Sequence, residues 1–462
     1  MKEKDIIECE IISSGMNGEG VARVDGLVVF VPLALVGEKV KAQLVSVKKK
    51  FATAKVIKIL QPAPCRVTPL CPVFFQCGGC EMQHIAYDQQ LQIKRANVIS
   101  CFAKECGFTP LVDEMIHGEK QFGYRNKAQV PLAKVGDKVV AGYYKPNSHI
   151  LVPFGKIDSP TLGDCPLHNR AIHNIIDAFC AFAQEKNLSI YCESAHTGLL
   201  RHIVIRQVGD SFAVTIVING KRLPFAEELT ARLGKLGIQF SLNLSINDQQ
   251  TNVILGEKLV NLYGGSSIAS EIDNVKFSIS PLSFFQVNDE IRDKIYARVA
   301  QVVAETDNSV VVEAYSGIGI LSNILAKHTD KLYGLEIVPD AVADANELAK
   351  LNNNTDKITN ICGDVAVTLP RLVKDLRAQN AFVKPILALD PPRKGCSPAV
   401  IESILAALPH KIIYISCNPA TLARDVKALL QAYDIEQITP YDMFPQTASQ
   451  ETLVVLRAKN QG

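Results

Sequence analysis

The sequence lacks the features that would direct a protein to a membrane or to secretion. No apolar run in its 462 residues approaches the ~20 residues that a membrane-spanning helix needs. The N-terminal segment has no basic region followed by an apolar stretch, which a secretory signal requires. Thirteen cysteines are an odd number for a disulfide framework, and cytoplasmic thiols serve metal ligation, catalysis or burial. The sequence therefore predicts a cytoplasmic protein without membrane association.

The chain also lacks a large charge excess, internal repeats, low-complexity tracts and any sign of an obligate protein partner. Its formal net charge is +2, and a charged footprint matters by its distribution rather than its sum. One segment is lopsided, since residues 39–58 contain seven lysines and no carboxylate. Such a run is usually a solvated face, and contact with nucleic acid is the alternative.

The length suggests about three domains. Residues 1–60 contain short Val- and Ile-rich runs separated by glycine-bearing turns, a pattern that predicts a small β-barrel. Residues 61–278 mix a helical stretch with strand-like runs and predict an α+β domain. Residues 279–462 alternate strand and helix patterns, which predicts a doubly wound parallel sheet.

A doubly wound sheet binds ligands beyond the carboxyl ends of its strands. Loops 315–319, 336–340, 390–396 and 416–419 each follow a predicted strand, so we expect them to surround one pocket. Glycines in the first loop, such as Gly317, let a nucleotide-type cofactor approach the backbone closely. A turn that needs glycine only for its geometry is the alternative.

Three carboxylates follow the other strands of this sheet. Glu336 lies about 20 residues beyond the glycine loop, where doubly wound folds place the carboxylate that binds ribose hydroxyls. Asp364 follows the third strand and can reach an adenine edge, although a polar loop without a ligand is the alternative. Asp390 opens the motif Asp-Pro-Pro-Arg-Lys-Gly, whose prolines stiffen the chain at the strand tip. The same motif can also be a simple turn.

Cys417 and Glu451 are the candidate catalytic residues. Cys417 ends a strand in the expected pocket and precedes a helix whose N-terminal amides favour a thiolate. A cysteine is more often a small buried apolar residue than a nucleophile, so its position carries this prediction. Glu451 is either an ordinary exposed carboxylate or the base that removes a proton from a bound substrate.

Three cysteines lie within ten residues, in Cys71-x5-Cys77-Gly-Gly-Cys80. Core packing does not explain this density around paired glycines, which is typical of a metal or cluster site. Thiolate sites need a fourth ligand, and zinc and an iron–sulfur cluster both suit the spacing. The candidates for that ligand are Cys65, Cys101, Cys106, Cys165 and His84.

Six motifs follow one another along the chain: Cys71-x5-Cys77-Gly-Gly-Cys80-x2-Gln83-His84, Phe285-Gln-Val-Asn288, Tyr315-Ser-Gly-Ile-Gly319, Asp390-Pro-Pro-Arg-Lys-Gly395, Ser416-Cys-Asn-Pro419 and Glu451. In this order they resemble the bacterial ribosomal RNA uracil-5-methyltransferases over nearly the whole chain. The resemblance implies a TRAM barrel related to oligonucleotide-binding folds, a central iron–sulfur domain and a Rossmann-like, S-adenosylmethionine-dependent methyltransferase domain. The lysine-rich segment is then expected to contact RNA.

The resemblance also implies roles for individual residues. The covalent nucleophile is Cys417, and the base is Glu451. The ligands of a four-iron, four-sulfur cluster are Cys71, Cys77, Cys80 and Cys165. The contacts to S-adenosylmethionine are Gln286, Tyr315, Glu336 and Asp390, to which the loop spacing adds Gly317 and Asp364.

This chain departs from the family pattern at two places. The family usually has Asp-Leu-Tyr/Phe-Cys-Gly in the first cofactor loop, and this chain has Glu313-Ala-Tyr-Ser-Gly. Glutamate is expected to keep the charge with a longer reach. The family often has a histidine or similar residue before Val-Glu, and this chain has Ala448-Ser-Gln-Glu451, so the neighbours of the base differ.

The expected activity is methylation of carbon 5 of a uridine in RNA through a covalent Cys417 adduct. The family resemblance favours 23S ribosomal RNA as substrate, with transfer RNA as the alternative. Two other functions are more distant. An RNA cytosine-5-methyltransferase would place its cysteine after proline or threonine, whereas Ser416 precedes Cys417 here. A non-catalytic RNA-binding iron–sulfur protein would have lost Cys417 or Glu451.

Overall fold

The computed structural model describes residues 1–154, 164–283, 285–306, 310–379 and 383–459. Its contacts divide the chain into two compact units, each built from separate segments. The first unit contains Met1–Pro69, Cys80–Gly118 and Lys294–Gly462. The second unit contains Leu70–Gly79 and Glu119–Asp293. Within the described ranges, no helix combines the length and the apolar character needed to cross a bilayer.

The described residues form the following secondary-structure elements. The strands are β1 (Ile6–Glu10), β2 (Ser13–Ser14), β3 (Gly20–Val24), β4 (Leu27–Val31), β5 (Lys39–Val47), β6 (Phe51–Gln61), β7 (Lys127–Val135), β8 (Lys138–Tyr144), β9 (Leu151–Pro153), β10 (Leu200–Val208), β11 (Ser211–Ile218), β12 (Gln239–Ile246), β13 (Lys258–Tyr263), β14 (Ile268–Ile272), β15 (Val275–Ile279), β16 (Val310–Ala314), β17 (Lys331–Glu336), β18 (Ile358–Cys362), β19 (Ile386–Leu389), β20 (Lys411–Ser416), β21 (Tyr433–Tyr441) and β22 (Glu451–Ala458). The helices are α1 (Tyr87–Cys106), α2 (Arg170–Glu185), α3 (Ala226–Gly234), α4 (Asp289–Ala304), α5 (Ile320–Leu325), α6 (Pro339–Leu351), α7 (Val365–Gln379), α8 (Pro398–Ala407) and α9 (Pro419–Leu429).

The N-terminal strands form a six-stranded sheet in the order β1-β5-β6-β4-β3-β2. Along β5, Val40, Ala42 and Leu44 are buried and alternate with residues nearer to solvent, because successive side chains of a strand point to opposite faces. β1 also contacts β3, so the sheet curves around one apolar core. This arrangement is the small β-structure that the glycine-punctuated runs predict.

The C-terminal sheet has seven strands in the order β18-β17-β16-β19-β20-β22-β21. The strands from β18 to β20 pair in parallel, and α-helices separate them along the chain. β22 pairs antiparallel with both β20 and β21, so the expectation of a wholly parallel sheet is wrong at this edge. The physical reason is the connection: β21 and β22 are joined by a loop rather than a crossover helix, which antiparallel neighbours allow.

Helix α1 packs against this C-terminal sheet within the first unit. Its buried residues Gln90, Lys94, Val98 and Phe102 recur every four positions and therefore lie on one face of the helix. Val98 and Phe102 belong to the same apolar core as the strands β16, β19 and β20. The C-terminal half of the helix is thus held by hydrophobic burial, while its N-terminal half buries an amide and an amine.

The second unit contains a seven-stranded sheet in the order β13-β12-β11-β10-β7-β8-β9, and the two-stranded sheet β14-β15. Helices α2 and α3 cover the larger sheet, and their apolar faces supply Phe179, Phe182 and Leu229 to its core. Asn169 caps α2, because its side chain accepts a hydrogen bond from the Ile172 amide. This is the mixed α+β structure that the central segment predicts.

Candidate active site

The register between β20 and β22 brings the two candidate catalytic residues together. Ser416 pairs with Thr452 in this antiparallel ladder. Cys417 follows Ser416 and Glu451 precedes Thr452, so the next pair of facing positions is Cys417 and Glu451. The negative charge of Glu451 raises the pKa of the Cys417 thiol, as their proximity requires. Two residues 34 positions apart in the sequence thus face one another at the sheet edge.

Glu451 is not the ordinary exposed carboxylate of the alternative interpretation. Its side chain is only 4% exposed, and Oε2 has no hydrogen-bond partner among the described residues. Burial raises the pKa of this carboxyl well above its usual value, Asp390 raises it further, and Arg393 opposes the shift. A carboxylate with a raised pKa is a better proton acceptor, so this environment suits a general base.

The Cys417 thiol is half-buried, and burial raises its pKa above the usual value. The expectation that the N-terminal amides of the next helix favour the thiolate is wrong. Asn418 caps α9 instead, because its Oδ1 accepts hydrogen bonds from the Ala420 and Thr421 amides at 3.0 and 3.4 Å. The group that lowers the pKa of Cys417 is Arg393, through its charge and a side-chain hydrogen bond.

Asp390 lies at the tip of β19, where its charge acts on both Cys417 and Glu451. Its side chain is exposed to solvent at this tip. The protein packed around this position raises the pKa of Asp390 above its usual value. Asp390 is therefore accessible to a ligand, and its charge affects the pKa of both catalytic candidates.

A buried carboxylate, Asp425 of α9, anchors the loop that follows Asp390. Its Oδ2 accepts hydrogen bonds from the Cys396 amide at 2.8 Å and the Tyr414 hydroxyl at 2.7 Å. Arg424 donates to Asp425 Oδ1 and also to the Lys394 carbonyl, so the loop is held from both sides. Sequence reasoning missed this anchor, since Asp425 lies in a helix that carries no other sign of function.

The first cofactor loop contains two residues with left-handed backbones. Tyr315 has φ 62°, which is strained for a residue with a side chain, and its hydroxyl hydrogen-bonds to Cys396. Gly317 has φ 53°, and a Cβ built there meets no atom within 4 Å. The space above Gly317 is therefore open, as a loop that receives a cofactor requires.

The two carboxylates expected near this loop lie beside it. Glu336 Oε2 accepts a hydrogen bond from the Gly317 amide at 3.0 Å, and Oε1 accepts from the Ile337 and Val338 amides. Asp364 accepts a hydrogen bond from the Ala366 amide at the start of α7, and its charge acts on Tyr315. Gly317, Tyr315, Glu336 and Asp364 thus form one edge of the site.

Glu313, the residue that departs from the family pattern, differs from the expectation in its charge. It is 6% exposed, and Oε2 accepts a hydrogen bond from the Ser322 hydroxyl. Burial raises the pKa of Glu313 to about 8, with a further contribution from Asp390. The expectation that this glutamate keeps the charge is therefore not met near neutral pH, because burial disfavours the ionised form.

Gln286 belongs to the second unit, unlike the other expected cofactor contacts. Its backbone carbonyl accepts a hydrogen bond from the side-chain Nδ2 of Asn126 at 2.9 Å, and this Nδ2 also donates to Asp289 at 2.9 Å. The backbone amide of Asn126 donates to the Val287 carbonyl at 3.0 Å. The Gln-Val-Asn motif is therefore tied to the segment around Asn126.

The cysteines of the candidate metal site have partly buried side chains. Cys165 lies near Cys71 and Cys77, whose charges add to burial in raising the pKa of its thiol to about 12. Cys80 belongs to the first unit, where its sulfur accepts a hydrogen bond from Gln83 Nε2 at 3.3 Å. Across the described part of the chain, no three His, Cys, Asp or Glu side chains are grouped as around a bound metal ion.

A sheet with this strand order and a glycine loop above β16 is typical of doubly wound enzymes that bind a nucleotide-type cofactor. Comparison with known proteins agrees. The model of the tRNA (uracil-5-)-methyltransferase family matches residues 225–459, and the model of the TRAM domain matches residues 6–57.

Relatives match over the full length. An uncharacterized RNA methyltransferase of Staphylococcus aureus (strain MRSA252) is 33% identical over 465 residues, with 99% of each chain covered. One of Clostridium tetani (strain Massachusetts / E88) is 35% identical, with 99% of this chain and 97% of the relative covered. The crystal structure of the Pyrococcus abyssi tRNA (uracil-54, C5)-methyltransferase with S-adenosyl-L-homocysteine matches with a TM-score of 0.75 and 25% identity, over 97% and 100% of the chains.

The chain belongs to the tRNA (uracil-5-)-methyltransferase family. It is an S-adenosylmethionine-dependent RNA (uracil-5-)-methyltransferase with a TRAM domain. The resemblance found in the six motifs is thereby confirmed. The particular RNA, the iron–sulfur cluster and the roles of individual residues go beyond these comparisons.

The charges around Cys417 predict how its reactivity depends on pH. Replacing Arg393 with Gln removes the group that lowers the thiol pKa, so the midpoint for alkylation should move to higher pH. Glu451→Gln removes a charge that raises it, so the midpoint should move to lower pH. Mass spectrometry of iodoacetamide-treated protein across pH measures both. Shifts in the same direction for the two variants would contradict this description of the site.

Proposed function

We propose that the enzyme methylates carbon 5 of a specific uridine in 23S ribosomal RNA through a covalent adduct on Cys417. The observation that carries this proposal is the opposed pair of Cys417 and Glu451 across the β20–β22 ladder. Such a pair supplies the two groups that the reaction needs at neighbouring ring atoms, a nucleophile and a base. The site has both, and Glu451 is buried, with no partner for its Oε2 in the described part of the chain.

Cys417 supplies the first step. Carbon 5 of uracil is a poor nucleophile, so the thiolate adds to carbon 6, and the electron pair of the 5,6 double bond moves towards carbon 5 and the carbonyl oxygen. Carbon 5 then attacks the methyl group of S-adenosylmethionine, and the carbon–sulfur electron pair leaves with S-adenosylhomocysteine. Arg393 favours the thiolate at the start, because its hydrogen bond and charge lower the pKa of Cys417.

Glu451 completes the reaction. After transfer, carbon 5 carries both the methyl group and a proton. The Glu451 carboxylate accepts that proton, the electron pair rebuilds the 5,6 double bond, and the carbon–sulfur bond to Cys417 breaks. The raised pKa of Glu451 suits this role, because a carboxylate with a higher pKa is a stronger proton acceptor.

The residues around the glycine loop suit S-adenosylmethionine, whose methyl group is the one transferred. The open space above Gly317 leaves room for the cofactor backbone, and Glu336 is held rigidly by three amides. Asp364 lies on the Tyr315 side of this loop and can meet an adenine edge. Asp390 stands accessible beside Cys417 and Glu451, where a carboxylate attracts a sulfonium. Gln286 is proposed as a further contact from the family resemblance alone.

The target base must leave its stack to reach this site, at a cost of a few kcal/mol. We propose that the TRAM domain contributes to holding the RNA. Lys41 and Lys39 lie opposite Glu8 and Glu10 in the β1–β5 register, which offsets their charges. The exposed Lys48–Lys50 turn carries no such neighbours in that register and leads into Phe51, which is 43% exposed. A basic turn next to an exposed aromatic ring is typical of single-stranded RNA contact.

We also propose that Cys71, Cys77, Cys80 and Cys165 are the ligands of a four-iron, four-sulfur cluster. The support is the family resemblance, the all-thiol donor set and the proximity of Cys165 to Cys71 and Cys77. The side chains are not grouped around a metal position in the described residues, so no catalytic step is assigned to the cluster. A reducing cytoplasm, which keeps these thiols available, is the proposed location.

Transfer RNA is the second candidate substrate. The Pyrococcus abyssi enzyme that resembles this chain over its full length is named as a tRNA (uracil-54, C5)-methyltransferase. An RNA cytosine-5-methyltransferase and a non-catalytic RNA-binding protein are disfavoured by the family match and by the presence of both Cys417 and Glu451.

Replacing Glu451 with Gln should allow methyl transfer and prevent release of the product. Without the carboxylate, the proton stays on carbon 5 and the bond between Cys417 and carbon 6 persists. A protein–RNA adduct that survives denaturing electrophoresis should therefore accumulate with labelled methyl groups. The control is Glu451→Gln combined with Cys417→Ala, which should form no adduct. Adduct formation by the double variant would exclude Cys417 as the nucleophile.

The wild-type enzyme should transfer labelled methyl groups to unmodified 23S ribosomal RNA and form 5-methyluridine. The assay is run under anaerobic conditions, with unmodified transfer RNA in parallel, and the product is identified by nucleoside analysis. If 5-methyluridine forms in transfer RNA alone, 23S ribosomal RNA is excluded and transfer RNA is the substrate. Formation of 5-methylcytidine in either RNA would overturn the uracil assignment.

Protein purified without oxygen should contain about four irons and four sulfides per chain, as a cluster held by four thiolates requires. Cys165→Ser should lower both contents, because it removes one ligand, whereas Cys192→Ser should leave them unchanged, since Cys192 lies on an exposed turn. Iron and sulfide assays together with absorbance spectra measure this. A full zinc content without sulfide would replace the cluster with a zinc site.

A further inference from the structure

The loop that delivers Glu451 is unusually buried for a connection between strands. Residues 442–450 join β21 to β22, and Glu451 is the first residue of β22. Asp442 and Gln446 are 0% and 3% exposed, and Gln446 has a left-handed backbone with φ 71°. A strained, buried loop must be held by specific partners, since loops normally lie at the surface with their backbones solvated.

The first of these partners is Lys94 of α1. Its Nζ lies 2.5 Å from Asp442 Oδ1 and donates a hydrogen bond to the Phe444 carbonyl at 3.0 Å. Both side chains of this ion pair are fully buried. The second oxygen of Asp442 accepts a hydrogen bond from the Tyr87 hydroxyl at 2.7 Å. The start of the loop is therefore fixed to α1 by charge as well as by hydrogen bonds.

The second partner is Gln90, one helical turn before Lys94. Its Nε2 donates to Gln446 Oε1 at 3.0 Å, and its Oε1 accepts from the Gln446 amide at 3.2 Å. The same Nε2 lies within hydrogen-bond distance of the Met82 and Ile85 carbonyls. Gln90 thus holds the middle of the loop at the residue whose backbone is strained.

Stability alone does not explain these buried polar groups. The adjoining turns of the same helix face use Val98 and Phe102, which bury apolar surface without any desolvation cost. Replacing a buried ion pair by apolar residues is often neutral or stabilising, so such a pair is weak support for a purely structural role. What Lys94 and Gln90 supply is a defined position for the loop, through four hydrogen bonds to the Asp442 carboxylate, the Phe444 carbonyl, and the side chain and backbone amide of Gln446.

We propose that Lys94 and Gln90 are positioning residues for Glu451, which fix the 442–450 loop so that the carboxylate meets the proton on carbon 5. The inference rests on the proposed function, because it assigns the base that Lys94 and Gln90 position. Elimination depends on Glu451, whereas addition and methyl transfer depend on Cys417 and the cofactor loop. Loosening the 442–450 loop therefore slows the last step more than the earlier ones.

The test measures methyl transfer and adduct release separately in Lys94→Met and Gln90→Met. Single-turnover transfer from labelled S-adenosylmethionine reports the earlier steps, and the fraction of denaturant-stable adduct reports elimination. We expect transfer within about twofold of wild type and turnover about tenfold to a hundredfold lower, with the adduct accumulating, because small misplacements of a catalytic group have effects of that size. Gln90→Met leaves all charged residues in place, so it provides the test if the Lys94→Met protein does not fold.

Arg95→Met is the matched control on the same helix. Arg95 donates to the Asp113 and Val112 carbonyls, and within the described residues it makes no hydrogen bond or ion pair with the 442–450 loop, so its replacement should not raise the adduct fraction. Equal slowing of transfer and release in Lys94→Met and Gln90→Met, or no adduct in either, would overturn the positioning role. The Glu451→Gln variant is measured alongside. If Glu451→Gln forms the adduct and the α1 variants do not, only the positioning role is refuted. If Glu451→Gln forms no adduct either, the proposed function is refuted as well.

Discussion

The antiparallel pairing of β22 with β20 is the constraint on which the active site depends. The ladder places Glu451 opposite Cys417, and a slip of one residue would turn Glu451 to the other face of the sheet. Both strands are buried along most of their length, which fixes the register through side-chain packing. Asp390 and Arg393 then act on the pair from the neighbouring strand tip, with opposite effects on the Cys417 pKa.

The elements around this pair are joined through a small shared core in the first unit. Leu35 and Ala63 from the N-terminal segment pack with Met82 and Ile85, and Ala448 of the base loop packs against the same cluster. Glu38 and Arg66 form a partly buried ion pair beside it, which lowers the pKa of Glu38. The TRAM domain, the segment before α1 and the loop before Glu451 therefore meet at one place.

The sequence predicts the parallel strands of the C-terminal sheet, because they depend on local patterns. The loops expected at 315–319 and 390–396 directly follow β16 and β19, and its position after β20 distinguishes Cys417 from the other cysteines. What it does not predict depends on contacts across long separations. The Lys94–Asp442 ion pair joins residues 348 positions apart. The Asn418 side chain accepts the hydrogen bonds of the first α9 amides, and this cap is visible only once the helix start is known. The antiparallel edge is likewise set by a loop, which carries no periodic signal.

A covalent Cys417 adduct is the central claim, and RNA that contains 5-fluorouridine tests it most directly. Fluorine replaces the proton that Glu451 removes, so addition and methyl transfer can proceed and elimination cannot. The measurement is mass spectrometry of the protease-digested and nuclease-digested complex formed with S-adenosylmethionine. We expect a methylated fluorouridine attached to the peptide that contains Cys417. Recovery of that peptide unmodified, or attachment at another residue, would contradict it.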